Sequence, residues 1–207
     1  MAVDTRTAIQ LLTVCGSLQR RSANRAALEA VASVAISAGA VVDDFDRLAE
    51  IPAFDTDNAD EPVEAVEDWQ RRVRAADVVL VAAPEYAGGL AGGIKNAFDW
   101  LVGSGDMYRR PVAVISAGTS GGEYARREMA QTLTWQGAYV VGELGIAAPR
   151  TKSDDQGRFD DPPTLAAIAA LTRELLGAAA LPVADRASVA TRVVESLGID
   201  TAHVTPA

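Results

Sequence analysis

The feature that most constrains this chain is a repeated alternation, in which short apolar runs are each followed by a longer stretch with helical periodicity. The runs are AIQLLTV (8–14), VVDDF (41–45), DVVLVAA (77–83), PVAVISA (111–117) and YVVGELGIA (139–147). The first, third and fourth are rich in Val, Ile and Leu with little polar alternation, which is how strands covered on both faces read. Ser22 or Asn24 begins the first helix, which runs to about Ala38 with Gly39 as its stop. Pro62 suits the first turn of the second helix, VEAVEDWQRRVRAA. GGIKNAFDWLVG, GEYARREMAQTLTWQG and PPTLAAIAALTRELLGAAA supply the third to fifth. This alternation predicts one α/β domain, a three-layer sandwich with a five-stranded parallel sheet and right-handed crossovers. A first strand that opens on a phosphate-like loop points to the strand order 2-1-3-4-5. The domain is expected over residues 1–183. Residues 184–207 are expected to form a C-terminal helical extension packed on it or on a partner subunit.

Charge and composition remove several classes of function. Nineteen basic residues against 28 acidic give a net charge of −9, which argues against a nucleic-acid or anionic-membrane binder. The single cysteine, Cys15, allows no internal disulfide and fits a reducing cytoplasm. The N-terminal MAVDTRTAIQLL carries an acid early, and its short apolar run is needed as the first strand, so it does not read as a secretory leader. No segment approaches the roughly 20 apolar residues that span a membrane. The single histidine, His203, lies near the C-terminus and leaves metal clusters and histidine triads almost nothing to be built from. An enzyme of this composition takes its chemistry from a bound cofactor.

Two junctions stand out. In VCGSLQRRSANRA (14–26), an acidic protein places Arg20, Arg21 and Arg25 beside Ser17, Gln19, Ser22 and Asn24 at the tip of its first buried segment. Neither a Walker A loop nor a G-x-G-x-x-G fingerprint fits around Gly16. What remains is a strand, a polar loop and a helix N-terminus, which together hold a monophosphate through backbone N–H groups. The competing reading is that Ser22 and Asn24 only cap the helix. After the third strand comes Pro84-Glu85-Tyr86-Ala87-Gly88-Gly89. Pro84 fixes one backbone angle, Gly88 and Gly89 permit close approach to a ligand, and Tyr86 suits the cover of a planar ring. A turn carrying a core-packing tyrosine is the alternative.

The motifs G-S-x-x-x-x-S-x-N-R at Gly16–Arg25 and P-E-Y-x-G-x-x-x-G-x-x-K-N-A-x-D-W at Pro84–Trp100 resemble the NADPH-dependent FMN reductase family. That family groups flavodoxin-like flavin, quinone, azo-dye and chromate reductases, and the likeness covers about residues 8–147. The resemblance implies that Ser17, Ser22 and Asn24, with the backbone of Gln19 and Ala23, hold the FMN phosphate. It implies that Pro84, Glu85, Tyr86 and the backbone of Ala87 and Gly88 lie along the isoalloxazine. Ser116, with the backbone of Ala117 and Gly118, would add flavin contacts. Lys95, Asn96, Asp99 and Trp100 would shape the loop and a subunit interface. The family commonly carries arginine in place of Gln19, asparagine in place of Ala87, and serine and proline in place of Gly89 and Ala91. The implied activity is ping-pong: NADPH or NADH passes a hydride to FMN and leaves, and a small-molecule acceptor such as a flavin or quinone takes the electrons. A homodimer or homotetramer is also implied; Trp69, Trp100, Trp135 and the terminal helix are interface candidates, with a buried core position the equal alternative for each. Arg109 and Arg110 are candidates for a 2′-phosphate contact. Glu85 reads as a loop anchor and Cys15 as a core residue. The rival readings are a non-enzymatic flavodoxin-like electron carrier and a protein with a degenerate flavin site.

Overall fold

The structure is a computed structural model and describes residues 8–58, 61–204 and 206. Five strands form one parallel sheet: β1 (Gln10–Cys15), β2 (Val41–Phe45), β3 (Val78–Ala82), β6 (Pro111–Gly118) and β7 (Tyr139–Ala147). Their order is β2-β1-β3-β6-β7, the 2-1-3-4-5 pattern in five consecutive sheet strands. Between β3 and β6 lie two very short strands, β4 (Glu85–Tyr86) and β5 (Gly89–Leu90), paired antiparallel. The helices are α1 (Ala23–Ser37), α2 (Glu64–Ala75), α3 (Gly92–Asp99), α4 (Glu123–Trp135), α5 (Pro162–Ala178) and α6 (Val183–Ser196).

Successive residues of the central strands feed two cores on opposite faces of the sheet, as a period of two requires. Leu12, Val14, Val79 and Val81 pack with Trp69 of α2, Phe98 of α3 and Met129 of α4. There the rings of Phe45, Trp69 and Phe98 meet at 4.8 and 5.5 Å, and Trp69 Nε1–H donates to Ala97 O at 2.9 Å. Leu11, Cys15, Leu80 and Ile115 pack instead with Val31 of α1 and Ile168 and Leu175 of α5. The two buried residues of α6 fall in different cores, Ala190 in the second and Val194 in the first, so this helix lies across the free edge of β7.

One expectation changes, and one pair of alternatives is decided. Pro62 precedes the N-cap Val63 and stands outside α2; α5 is the helix with prolines in its first turn, behind Asp161, whose side chain caps Thr164 N–H. Trp69 and Trp100 are buried within the subunit and are not surface contacts. Trp100 Nε1–H and the Asn96 amide both donate to Pro52 O, and Asn96 Oδ1 accepts from Phe54 N–H. The K-N-A-x-D-W segment thus fastens residues 52–54 to α3.

Candidate functional site

The first crossover leaves the sheet in contact with the third, the one that follows β3. Gly16 N–H donates to Ala82 O at 2.8 Å. A Cβ at position 16 would lie 2.7 Å from Pro84 Cδ and 3.0 Å from Ile94 Cβ, so only glycine lets the two loops converge this closely. The Ser17 hydroxyl, nearly buried, accepts from Gln19 N–H at 3.4 Å. Ser22 is the N-cap of α1, and its hydroxyl accepts from Arg25 N–H at 3.1 Å. The first-turn N–H groups of Ala23 and Asn24 have no acceptor among the described residues. They are the positive end of a helix of 15 residues, a donor set that suits a phosphate. Capping and anion binding are therefore compatible: Ser22 caps one amide and two others remain.

Asn24 differs from the sequence expectation. Its buried side chain donates from Nδ2 to Ala117 O at 3.1 Å, and its Oδ1 accepts from Ala117 N–H at 3.0 Å. The amide ties α1 to the end of β6 and holds the floor between them, so Asn24 keeps only its backbone N–H for a ligand. Arg25 is also committed: it pairs with Asp44 at 2.5 Å, and Asp44 accepts from Thr13 Oγ1 at 2.8 Å. Arg20 and Arg21 line the cleft and have no carboxylate partner among the described residues.

The second wall is the β4–β5 hairpin. Its two central residues, Ala87 and Gly88, have φ of 53° and 74°, the signature of a type I′ turn. Helix α4 begins at Gly122, which is left-handed and offers no capping side chain. Glu85 supplies the cap from a distance, accepting from Tyr124 N–H at 2.8 Å and Ala125 N–H at 3.2 Å. In return, Glu128 of α4 accepts from Leu90 N–H at 2.7 Å. Both arms of the hairpin are thereby fastened to one helix. Pro84, Glu85 and Tyr86 line the cleft, Tyr86 with 58% of its surface exposed. Ala87 and Gly88 sit at the hairpin tip and do not line it. Ser116 does not either: it is fully buried, its hydroxyl lacks a partner among the described residues, and a Cβ on Gly122 would collide with it. Ala117, Gly118 and Thr119 line the cleft instead.

A third wall, between β7 and α5, escaped the sequence reading. Ala148 has φ 47° and turns the chain into a short 3-10 helix, Pro149–Lys152. Ala148 N–H donates to Thr119 O, which joins this wall to the loop after β6. Asp154 closes the next turn by accepting from the N–H groups of Gln156 and Arg158, both at 2.9 Å, and from the Arg158 guanidinium. The Arg158 N–H and guanidinium hold its carboxyl below the usual carboxylate range. Phe159, buried in the α1/α5 core, anchors the end of the loop. The three walls enclose a cleft of about 920 Å³, at the C-terminal edge of the sheet. One signal pointed here: in a doubly wound sheet every loop after a strand opens on the edge where ligands bind.

The remaining candidates lie elsewhere. Arg109 donates to Pro206 O, and Arg110 donates to Ala76 O and Asp106 O. Both sit where β6 begins, at the opposite edge of the sheet from the cleft, so neither reaches a ligand there. Cys15 is buried beneath the first loop, and burial pushes its thiol pKa up. Among the described residues no cluster of His, Cys, Asp and Glu suits a metal ion, and no helix is long and apolar enough to cross a membrane.

A 2-1-3-4-5 sheet with an anion cup after its first strand and a tyrosine-bearing turn after its third defines a flavodoxin-like mononucleotide-binding protein. Residues 9–152 match the family model described as NADPH-dependent FMN reductase, and the chain belongs to that family. A probable NADPH:quinone oxidoreductase of Oryza sativa subsp. japonica is 33% identical over 165 residues, 75% of this chain and 81% of the relative. An NAD(P)H-dependent FMN reductase of Pseudomonas aeruginosa is 32% identical over 160 residues, 74% of this chain and 85% of the relative. Among solved structures, an NAD(P)H:(acceptor) oxidoreductase from Paracoccus denitrificans superposes with a TM-score of 0.69 at 21% identity. That match covers 82% of this chain and 96% of the other. The protein is thus an oxidoreductase whose family pairs FMN with NAD(P)H. The donor set fits FMN: neutral hydroxyls and free helix amides for its phosphate, and an open tyrosine face beside a glycine-permitted floor for its ring.

Proposed function

We propose that the protein is an FMN-dependent NAD(P)H reductase that hands electrons to a quinone or flavin by a ping-pong cycle. The observation that carries this reading is the convergence, through Gly16, of the amide cup and the α4-clamped hairpin on one cleft. FMN, when bound, supplies the hydride acceptor, so no side chain here has to act as acid or base in that transfer. The residues bind and orient. Ala23 and Asn24 N–H, with Ser17 and Ser22, hold the phosphate; Tyr86 and Pro84 flank the ring; Gly118 and Thr119 bring backbone groups to the opposite side. Glu85 holds the hairpin in place, because one carboxylate oxygen already accepts two helix amides. Tyr86 remains open, as two substrates that bind in turn require.

Assembly as a homodimer or homotetramer is part of the same reading. It is supported by an apolar groove of about 850 Å³ between α3 and α4, lined by Val102, Tyr108 and Trp135, the last 64% exposed. A cytoplasmic location is supported by the single buried cysteine. The test is a fluorescence titration with FMN at micromolar concentration, followed by NADPH and NADH oxidation with a benzoquinone acceptor at several acceptor concentrations. Uptake of FMN and parallel double-reciprocal lines are expected. No uptake of FMN sinks the reading, and FMN uptake without nicotinamide oxidation makes the protein an electron carrier.

A further inference from the structure

We infer that Arg126, the fourth residue of α4, is a positioning residue for the flavin ring, because it holds the turn Gly118–Gly121 against the cleft from beneath. The inference rests on the flavin reading above, which puts the backbone of Gly118 and Thr119 beside the ring. By local rules an arginine is ill placed here. Cations are disfavoured near the positive end of a helix, and this side chain is only 14% exposed. Burial pulls its pKa below the ordinary guanidinium value, while Glu123 and Glu85 act to raise it. Breaches of local preference are expected where a site needs them.

The guanidinium begins a chain of hydrogen bonds that ends in the cleft. Arg126 Nε–H donates to Gly121 O at 3.0 Å, and Gly121 N–H donates to Gly118 O at 3.1 Å. Gly118 and Thr119 line the cleft. Thr119 O accepts from Ala148 N–H at 3.3 Å, and Ser120 Oγ donates to Glu85 at 3.4 Å. Among the described residues, no other side chain bonds the backbone of this turn. The segment has little stiffness of its own: Gly118, Gly121 and Gly122 are glycines, the last two at φ 84° and 64°. Gly121 is buried, so its carbonyl depends on the donor that Arg126 provides.

The socket for the guanidinium lies on β7. Glu143 pairs with Arg126 and balances its charge. Gly145, two residues further along the strand and so on the same face, leaves the space. A Cβ at position 145 would stand 2.8 Å from Gly121 O, 2.9 Å from Arg126 Nη2 and 3.0 Å from its Cζ. Strand, turn and helix therefore meet at one cation. Moving that cation moves the carbonyl that ends the turn, and with it the wall that faces the ring.

The variant R126M/E143Q removes the guanidinium without leaving a buried carboxylate unpaired. R127M, the same change one residue along α4, is the control, since Arg127 is exposed and bonds Leu197 O and Gly198 O. Fluorescence titrations would compare FMN with riboflavin, which share the ring and differ in the phosphate. Thermal melts and the visible spectrum of the bound flavin would be recorded alongside. In R126M/E143Q both flavins are expected to bind about 10-fold or more weakly, by the same factor and with an altered spectrum, while R127M behaves as wild type. G145A keeps both charges and presses on the Gly121 carbonyl directly; it should show the same equal loss, and it decides the matter if R126M/E143Q does not fold. Unchanged flavin binding in folded R126M/E143Q or in G145A overturns the inference, as does a loss for FMN alone or an equal loss in R127M. Wild-type protein that binds neither flavin would instead remove the functional reading on which the inference stands.

Discussion

Replacing Gly16 by alanine tests whether the two crossover loops truly share a floor. The new Cβ would stand 2.7 Å from Pro84 Cδ and 3.0 Å from Ile94 Cβ and Cγ2. Comfortable carbon–carbon separations are about 3.5–4.0 Å, so the contact with Pro84 is short by about 1 Å. Neither neighbour yields easily: Pro84 is a closed ring, and Ile94 is fully buried in α3. Overpacking of this kind costs about 1–3 kcal/mol. In a domain of this size that lowers Tm by roughly 3–10 °C. Relief requires the hairpin to move away from the amide cup, and a misplacement near 1 Å weakens a two-point site by about tenfold or more. Thermal melts and FMN titrations of G16A would read both effects. Combining G16A with P84A removes the Cδ and should recover more than about 0.5 kcal/mol relative to additivity. A G16A protein that melts within about 1 °C of wild type and binds FMN normally would refute the shared floor.

Three further outcomes are expected. E85A should lose about 1–2 kcal/mol by uncapping α4, whereas E85Q, which keeps an acceptor oxygen, should keep kcat within about twofold; a loss near 100-fold in E85Q would mean that the carboxyl transfers a proton. A87N should raise stability by about 0.5–1 kcal/mol in a urea melt, because asparagine tolerates the left-handed conformation that Ala87 adopts at φ 53°; no gain would place the turn's strain elsewhere. Asp154 has a depressed folded pKa, so the order it gives its loop is complete above the ordinary carboxylate value of about 3.9 and is lost as pH falls through the lower folded value. A carbon-13 NMR titration should show its midpoint below the ordinary value, and R158A should raise it.

Much of the architecture was legible because it rests on local pattern. Each sheet strand lies within a residue or two of its apolar run, and Gly39, at φ 84°, ends α1 as its position suggested. The amide cup was legible for the same reason, since a capping serine and a helix start are neighbours in the chain. What was not legible depends on partners remote in sequence. Asn24 turns inward because Ala117, 93 residues away, presents a matching N–H and C=O. Glu85 serves a helix 39 residues further on, a role the sequence allowed without naming the helix. Ser116 faces the α4 side because the alternation of β6 puts Ala117 on the other.

Placing α6 along β7 gives the sheet two differently guarded borders. On that side a helix occupies the ground where an intruding strand would dock. On the far side β2 carries Asp43 and Asp44, paired with Arg72 and Arg25, and such charged side chains blunt an exposed strand edge. Clipping the protein after residue 180 would therefore do more than remove a tail. It would bare the rim of β7 as a template, and the shortened chain should precipitate or form β-rich aggregates.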